Sequence, residues 1–276
     1  MKIVVLGFLI VAFSVSTSKA ANYLTVDFST GYTVGNLAGL TQDAVGQNGW
    51  AQTGTAATTP IQYSSTLGGA VINTSGQDIW KPLTSAAPNT AGTSLLSRID
   101  FKITAAQATG DYFFNVSDPA GTASNFYQRL FARSTTGGFN LGIMTTSGAG
   151  SATVYGTSVF NFNQAYTAVL GWNFVTGTLN DTMNLYVNPT SNIRANLTAE
   201  VTSNWLTTTA EPTATISAVN LRQGNASNAA SAVISSLSVG DSLASVGVVP
   251  EPSSSMLMVV GVAGLIGLRM LKRKQS

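Results

Sequence analysis

The sequence predicts an all-β protein, a two-sheet antiparallel jelly-roll sandwich, and three observations carry that prediction. Apolar and polar residues alternate in short stretches: Ile99, Phe101 and Ile103 fall on one face of an extended chain, and Arg98, Asp100 and Lys102 on the other. Clusters of Gly, Asn, Asp, Ser and Pro separate such stretches. Outside the two ends no window holds an apolar period of 3.6 for three turns, so helix is expected only in short turns, with residues 202–206 as the candidate. Many short antiparallel strands in one domain bury their apolar faces by packing two sheets, since an open sheet leaves edges and apolar faces in water.

Strand candidates begin near Leu24, Ala70, Ile79, Tyr112, Phe126, Phe139, Val159, Ala214 and Val233. With the stretch around Ile99 and a pair at 166–187 they make roughly a dozen strands. In that pair, Tyr166, Ala168, Leu170, Trp172 and Phe174 alternate with smaller or polar residues, Thr176, Gly177, Asn180 and Asp181 intervene, and Met183, Leu185 and Val187 follow. This reads as a hairpin closed by Asn188 and Pro189, with Trp172 in the core.

Both ends read as targeting devices. Lys2, the apolar residues 3–13 and the small residues Ser18 and Ala20 form a signal peptide over 1–20, with cleavage by signal peptidase after Ala20. The other reading, an uncleaved anchor, asks about eleven apolar residues to cross a bilayer of roughly 30 Å. At the far end, residues 256–268 carry no charge, and Arg269 can snorkel so that Met270 and Leu271 lengthen the stretch. A transmembrane helix is therefore expected over about 254–271, with a basic anchor of Arg269, Lys272, Arg273 and Lys274. The positive-inside tendency places that anchor in the cytoplasm and the body, residues 21–246, on the other side.

The order of parts in the tail, residues 247–276, resembles one family of sorting signals. Val249 leads into Pro250, Glu251 and Pro252, then come Ser253, Ser254 and Ser255, the apolar stretch and the basic end. The tail is similar to a PEP-CTERM sorting domain. That resemblance implies a Gram-negative-type envelope and recognition of Pro250, Glu251 and Pro252 by an exosortase, a membrane-embedded processing enzyme. It also implies a precursor anchored transiently in the inner membrane, then delivery to the cell surface, outer envelope or extracellular matrix. The box residues are substrate, not catalyst. The alternative is an ordinary single-span anchor whose prolines stiffen the stalk.

Composition narrows the chemistry. Only 9% of residues are charged, against roughly 25% in an average soluble protein, so the surface is polar through hydroxyls and amides. Cysteine and histidine are both absent, which removes disulfides, thiolate chemistry, the commonest general base and the commonest metal ligand. Without its ends the chain carries seven basic and ten acidic residues, a net charge of about −3, which speaks against a nucleic-acid partner. Glycoside hydrolysis needs two carboxylates facing one another, but Glu200 and Glu211 stand eleven residues apart and no acidic pair falls at i, i+2 or i+4. No catalytic residue and no cofactor is expected; Glu200 and Glu211 are the candidates if the chain is an enzyme. Asp111, Asp118, Asp181 and Asn184 carry oxygens suited to calcium, or serve as turn residues.

The binding candidates are Tyr127, Arg129, Phe131 and Arg133, which alternate along one predicted strand. They would line a concave sheet face where rings stack on sugars and guanidiniums bond hydroxyls. In the competing reading Phe126, Leu130 and Ala132 face the core and the arginines are simply solvated. Further rings for stacking are Trp50, Trp80 and Trp205.

Asp27 with Phe28, Gly49 with Trp50, the run Asn125, Phe126, Tyr127, Gln128 and Arg129, and the closing stretch from Ile234 to Gly240 resemble the concanavalin A-like lectin and glucanase superfamily, especially its laminin-G-like members. The resemblance spans residues 22–246 and implies the jelly roll and, by analogy, a sugar partner. The expected function is that of a non-enzymatic surface or matrix protein associated with extracellular polysaccharide. A structural or adhesive module binding proteins or itself is the alternative, and a glycan-active enzyme the third reading.

Overall fold

A computed structural model describes residues 20–40, 45–53, 59–118, 126–146, 152–177, 180–204 and 216–248. The expected signal peptide up to residue 19, the Pro250, Glu251 and Pro252 box, the transmembrane helix, the basic anchor, Trp205 and Glu211 lie outside the described residues. Among the described residues no helix is long and apolar enough to cross a membrane.

Sixteen strands are present among the described residues. In chain order they begin with β1 (Asn22–Asp27), β2 (Gly35–Asn36), β3 (Ala51–Thr53), β4 (Gln62–Ser64), β5 (Gly69–Ile72) and β6 (Asp78–Ala87). There follow β7 (Ser94–Ala105), β8 (Asp111–Ser117), β9 (Phe126–Thr135), β10 (Gly138–Thr146) and β11 (Val154–Tyr155). The last are β12 (Ala165–Asn173), β13 (Thr182–Val187), β14 (Val201–Asn204), β15 (Ile216–Leu221) and β16 (Ser231–Gly240).

They form two antiparallel sheets packed as a sandwich. The first runs β14-β13-β12-β7-β16-β5-β4-β2, and β1 also pairs with β16. One edge of β16 is thus shared, residues 232–234 meeting β5 and residues 236–240 meeting β1, while β7 runs along its whole other edge. The second sheet runs β11-β10-β9-β8-β15-β6-β3.

Alternation decides what each strand buries. From the first sheet Leu95, Ile99, Phe101, Ile103, Ala168, Leu170 and Trp172 point inward; from the second Phe113, Phe114, Val116, Leu130, Leu141, Ile143 and Leu221 meet them. Arg98, Asp100 and Lys102 remain on the opposite, solvent side of β7. Among the described residues, every member of the core lies between Leu24 and Val248.

Two features depart from simple alternation. Gln128 has a φ of 49° and is fully buried. Against β8, the three-residue step from Tyr127 to Leu130 faces the two-residue step from Val116 to Phe114, so β9 carries a bulge there. After β16, residues 241–248 fold back as a strap over the outer face of the first sheet. Leu243, Val246 and Val248 pack on Leu96, Val169 and Tyr186, whose side chains point away from the main core. Arg98 Nη1 donates to Gly247 O at 2.8 Å, and Ser238 Oγ donates to Val246 O at 3.0 Å.

Several sequence expectations need correction. The helix expected over 202–206 is absent from its described part, since residues 201–204 are β14, paired through Val201 with Leu185. An available sheet edge overrides the weak local preference of four residues. Val159 starts no strand: it is 51% exposed, and its neighbour Phe160 forms only an isolated bridge to Phe139. The hairpin of β12 and β13 forms, but it closes at the Asn173 and Thr182 end, where Val175 N–H donates to Asp181 Oδ1 at 2.8 Å. Asn188 instead ties the far end, accepting from Thr167 N at 2.9 Å and donating its own N–H to Thr167 O at 2.7 Å.

Candidate functional site

The bulge at Gln128 sorts the four predicted binding residues. Tyr127 and Gln128 both turn inward, and Tyr127 packs against Trp172 with ring centroids 5.6 Å apart. Tyr127 is therefore core, a correction to the expectation that it shares a face with the arginines. With Leu130 and Ala132 also inward, Arg129, Phe131 and Arg133 come to lie together on the outer face of the second sheet.

There they join residues from other strands that no local pattern connects. Tyr112 of β8 sits between two guanidiniums, Arg129 at 4.5 Å and Arg222 at 4.2 Å from its ring centroid. Phe131 lies 5.5 Å from Tyr112 and 6.4 Å from Tyr155 of β11, and Arg133 stacks 4.0 Å over Tyr155. Phe126 closes the other flank, 5.6 Å from Arg129. The band crosses the sheet from β11 to β6, where Asp78 stands, about 24 Å at the usual strand spacing. Glycine permits the close approach of its layers: Gly110 has a φ of 76°, and a Cβ there would meet Tyr155 Oη at 2.3 Å and Arg133 Cβ at 2.7 Å.

Charge is unevenly compensated along the band. Arg222 lies 2.6 Å from Asp111 Oδ2 and 3.8 Å from Asp78 Oδ2. Burial opposes its charge, but the bond to Asp111, the Tyr112 ring and the two carboxylates outweigh burial and raise its pKa. Asp78 is pushed up to about 6, chiefly by burial, against the Gln223 N–H bond and the Arg222 charge that pull it down. Arg129 differs: it is 9% exposed, and among the described residues it joins no ion pair, its Nε has no hydrogen-bond partner, and Nη1 reaches only Met144 Sδ at 3.7 Å. Burial lowers its pKa. Cation–π contacts give back about 0.5–2 kcal/mol, less than the several kcal/mol a buried, unpaired ion costs.

Glu200 and three of the four calcium candidates are engaged structurally. Glu200 accepts from Ser158 N at 3.0 Å and from Ser158 Oγ at 2.7 Å. Among the calcium candidates, Asp111 holds Arg222, Asp181 holds the Val175 N–H, and Asn184 accepts from Thr202. Trp50 is fully buried and donates to Tyr32 Oη at 3.2 Å, and Trp172 is core, so neither ring is open to a ligand.

Residues 248–274 match the family described as the PEP-CTERM protein-sorting motif. The tail is a PEP-CTERM sorting motif. It implies an exported, membrane-anchored precursor that an exosortase processes and that is sorted to the surface. The PEP-CTERM match begins at Val248, which also packs in the strap against the outer face of the first sheet.

Comparison with curated proteins finds no match to this chain. Among solved structures, an endo-1,3-beta-glucanase from Streptomyces sioyaensis is similar at 10% identity and a TM-score of 0.47, over 83% of this chain and 99% of the other. The CBM2 module of the evolved Dit of Lactobacillus casei BL23 phage J-1 is similar at 12% identity and 0.44, over 81% and 96%. An alginate lyase from Pseudomonas aeruginosa is similar at 11% identity and 0.40, over 70% and 81%. None of these likenesses carries a ligand or an activity to this chain.

Proposed function

We propose that the sandwich body of this PEP-CTERM protein is a non-catalytic module that associates with extracellular polysaccharide through the outer face of its second sheet. The observation that carries this reading is the band of Tyr112, Phe131, Tyr155, Arg129, Arg133 and Arg222. Of the three rings only Tyr155 is half-buried and offers a face to sugar C–H groups, Tyr112 and Phe131 being buried beneath the guanidiniums, which offer forked donors to sugar oxygens. A non-catalytic role is supported by the engagement of Glu200 with Ser158, and of Asp78 and Asp111 with Arg222.

The experiment is retention of residues 21–248 on immobilised polysaccharides, with released reducing ends assayed in the same tubes. Retention without release is the expected result. Release of reducing ends would replace the binding reading with a catalytic one, and absence of both would leave protein or self adhesion.

Export through a signal peptide cleaved after Ala20 belongs to the same proposal. The Ala21 nitrogen donates to Asp241 Oδ2 at 2.9 Å, and Asp241 N–H donates back to Ala21 O at 3.1 Å. Cleavage at that bond turns the Ala21 amide into an ammonium already facing a carboxylate, which would fasten the new terminus to the first residue of the strap. Intact-mass measurement of the exported protein is expected to place Ala21 first; another start would remove this part of the proposal.

A further inference from the structure

We infer that the Arg129 and Arg133 end of the band receives the carboxylates of an acidic polysaccharide, a polymer containing uronic acids. This rests on the reading of the band as a polysaccharide-binding face and names the class of sugar it takes.

The inference follows from where the charge lies. The body is net acidic, yet three of its seven cations, Arg129, Arg133 and Arg222, gather on one sheet face. Arg222 is ion-paired with Asp78 and Asp111; neither Arg129 nor Arg133 is ion-paired with any carboxylate among the described residues. Arg129 is the more telling of the two. It is a buried cation whose Nε lacks a partner among the described residues, and it lies against the Tyr112 and Phe126 rings. Arg133, half-buried on Tyr155, places a second guanidinium on the same strand face four residues away. A neutral sugar would supply hydroxyls but leave both charges uncompensated. A uronate supplies a planar carboxylate that matches the guanidinium fork, together with a ring face that matches the half-buried Tyr155. The chemistry demanded is thus an anionic group on a saccharide ring.

The test uses residues 21–248, because the basic cluster at 269–274 would itself hold an acidic polymer. Polygalacturonate, alginate, the carboxyl-reduced form of each, uncharged dextran and single-stranded DNA are immobilised side by side. The expected result is retention on the uronate polymers, loss of at least about tenfold in affinity on carboxyl reduction, and a similar loss for Arg129→Gln. Arg133→Gln, at a half-buried position, is expected to weaken binding several-fold; it guards against misreading a folding defect of the Arg129 variant, as does a melting curve for each protein. Equal retention of uronate and carboxyl-reduced polymers, or wild-type affinity in both variants, would overturn the inference while leaving polysaccharide binding in place. Retention on dextran but not on uronates would do the same. Binding to DNA in preference to uronates, or to none of these polymers, would remove the polysaccharide reading itself.

Discussion

Replacing Gln128 by Leu is expected to lower the unfolding free energy of the body by about 3 kcal/mol, on the scale of buried polar groups left without partners. The side-chain amide of Gln128 crosses the sandwich from the second sheet to the first. Its Nε2 donates to Leu95 O at 3.1 Å and to Leu170 O at 3.0 Å, and its Oε1 accepts from Ser97 Oγ at 2.5 Å. Leu fills a similar volume but returns none of these bonds, so the Ser97 hydroxyl, itself fully buried, faces an apolar wall. Removing that hydroxyl as well, in Gln128→Leu with Ser97→Ala, is expected to recover about 1 kcal/mol or more, because both partners are then apolar. Urea denaturation of the single and double variants measures both numbers. A loss below about 1 kcal/mol for the single change would show that the amide does not hold the two sheets together.

The same residue marks the limit of what the sequence discloses. The strand of Ile99, Phe101 and Ile103 was legible because nothing interrupts its two-residue period, and every other side chain goes to the core. In β9 the period is broken by one positive φ at a residue that is not glycine. A pattern of period two therefore places Tyr127 with Arg129, while the chain places Tyr127 with Trp172. The rest of the band was hidden for a different reason. Tyr112, Tyr155, Arg222 and Asp78 come from separate elements and meet only because β11, β10, β9, β8, β15 and β6 lie side by side. Strand order is a long-range property that no single segment encodes. The ion network of Asp78, Arg222 and Asp111 escaped a search for closely spaced acids for the same reason. The two-residue and three-residue strands β2, β3, β4 and β11 are too short to show a period and exist because an edge was available to pair. By contrast, the sorting tail is a linear signal, recognisable from Pro250, Glu251 and Pro252 and the residues after them without any fold.

A body ending at Gly240 is expected to be at least about 4 kcal/mol less stable than one ending at Val248, judged from the burial of its apolar side chains. The missing strap carries Leu243, Val246 and Val248, each no more than 5% exposed, and their removal uncovers Leu96, Val169 and Tyr186 on the outer face of the first sheet. At about 1.5–3 kcal/mol for each fully buried side chain, three such residues outweigh the entropy regained by a short free segment only if the strap is as closely docked as the Arg98 bond to Gly247 indicates. Val246→Asp, which keeps the chain length but buries a carboxylate against Val169 and Tyr186, is expected to reproduce most of the loss. Thermal melts of the three proteins distinguish the outcomes: if the shortened body melts with the longer one, the strap rests on the sheet without supporting it. Arg98 is in turn held in place by its neighbours. Its guanidinium also bonds Asp100, which accepts from Thr167 Oγ1 at 2.6 Å and from Ser236, so the residue that grips the strap is itself fixed by three strands of the first sheet. The PEP-CTERM match begins at Val248, the residue after the Gly247 that Arg98 grips. Gly247 and Val248 lie over the first sheet, and the ring-and-guanidinium band lies on the outer face of the second.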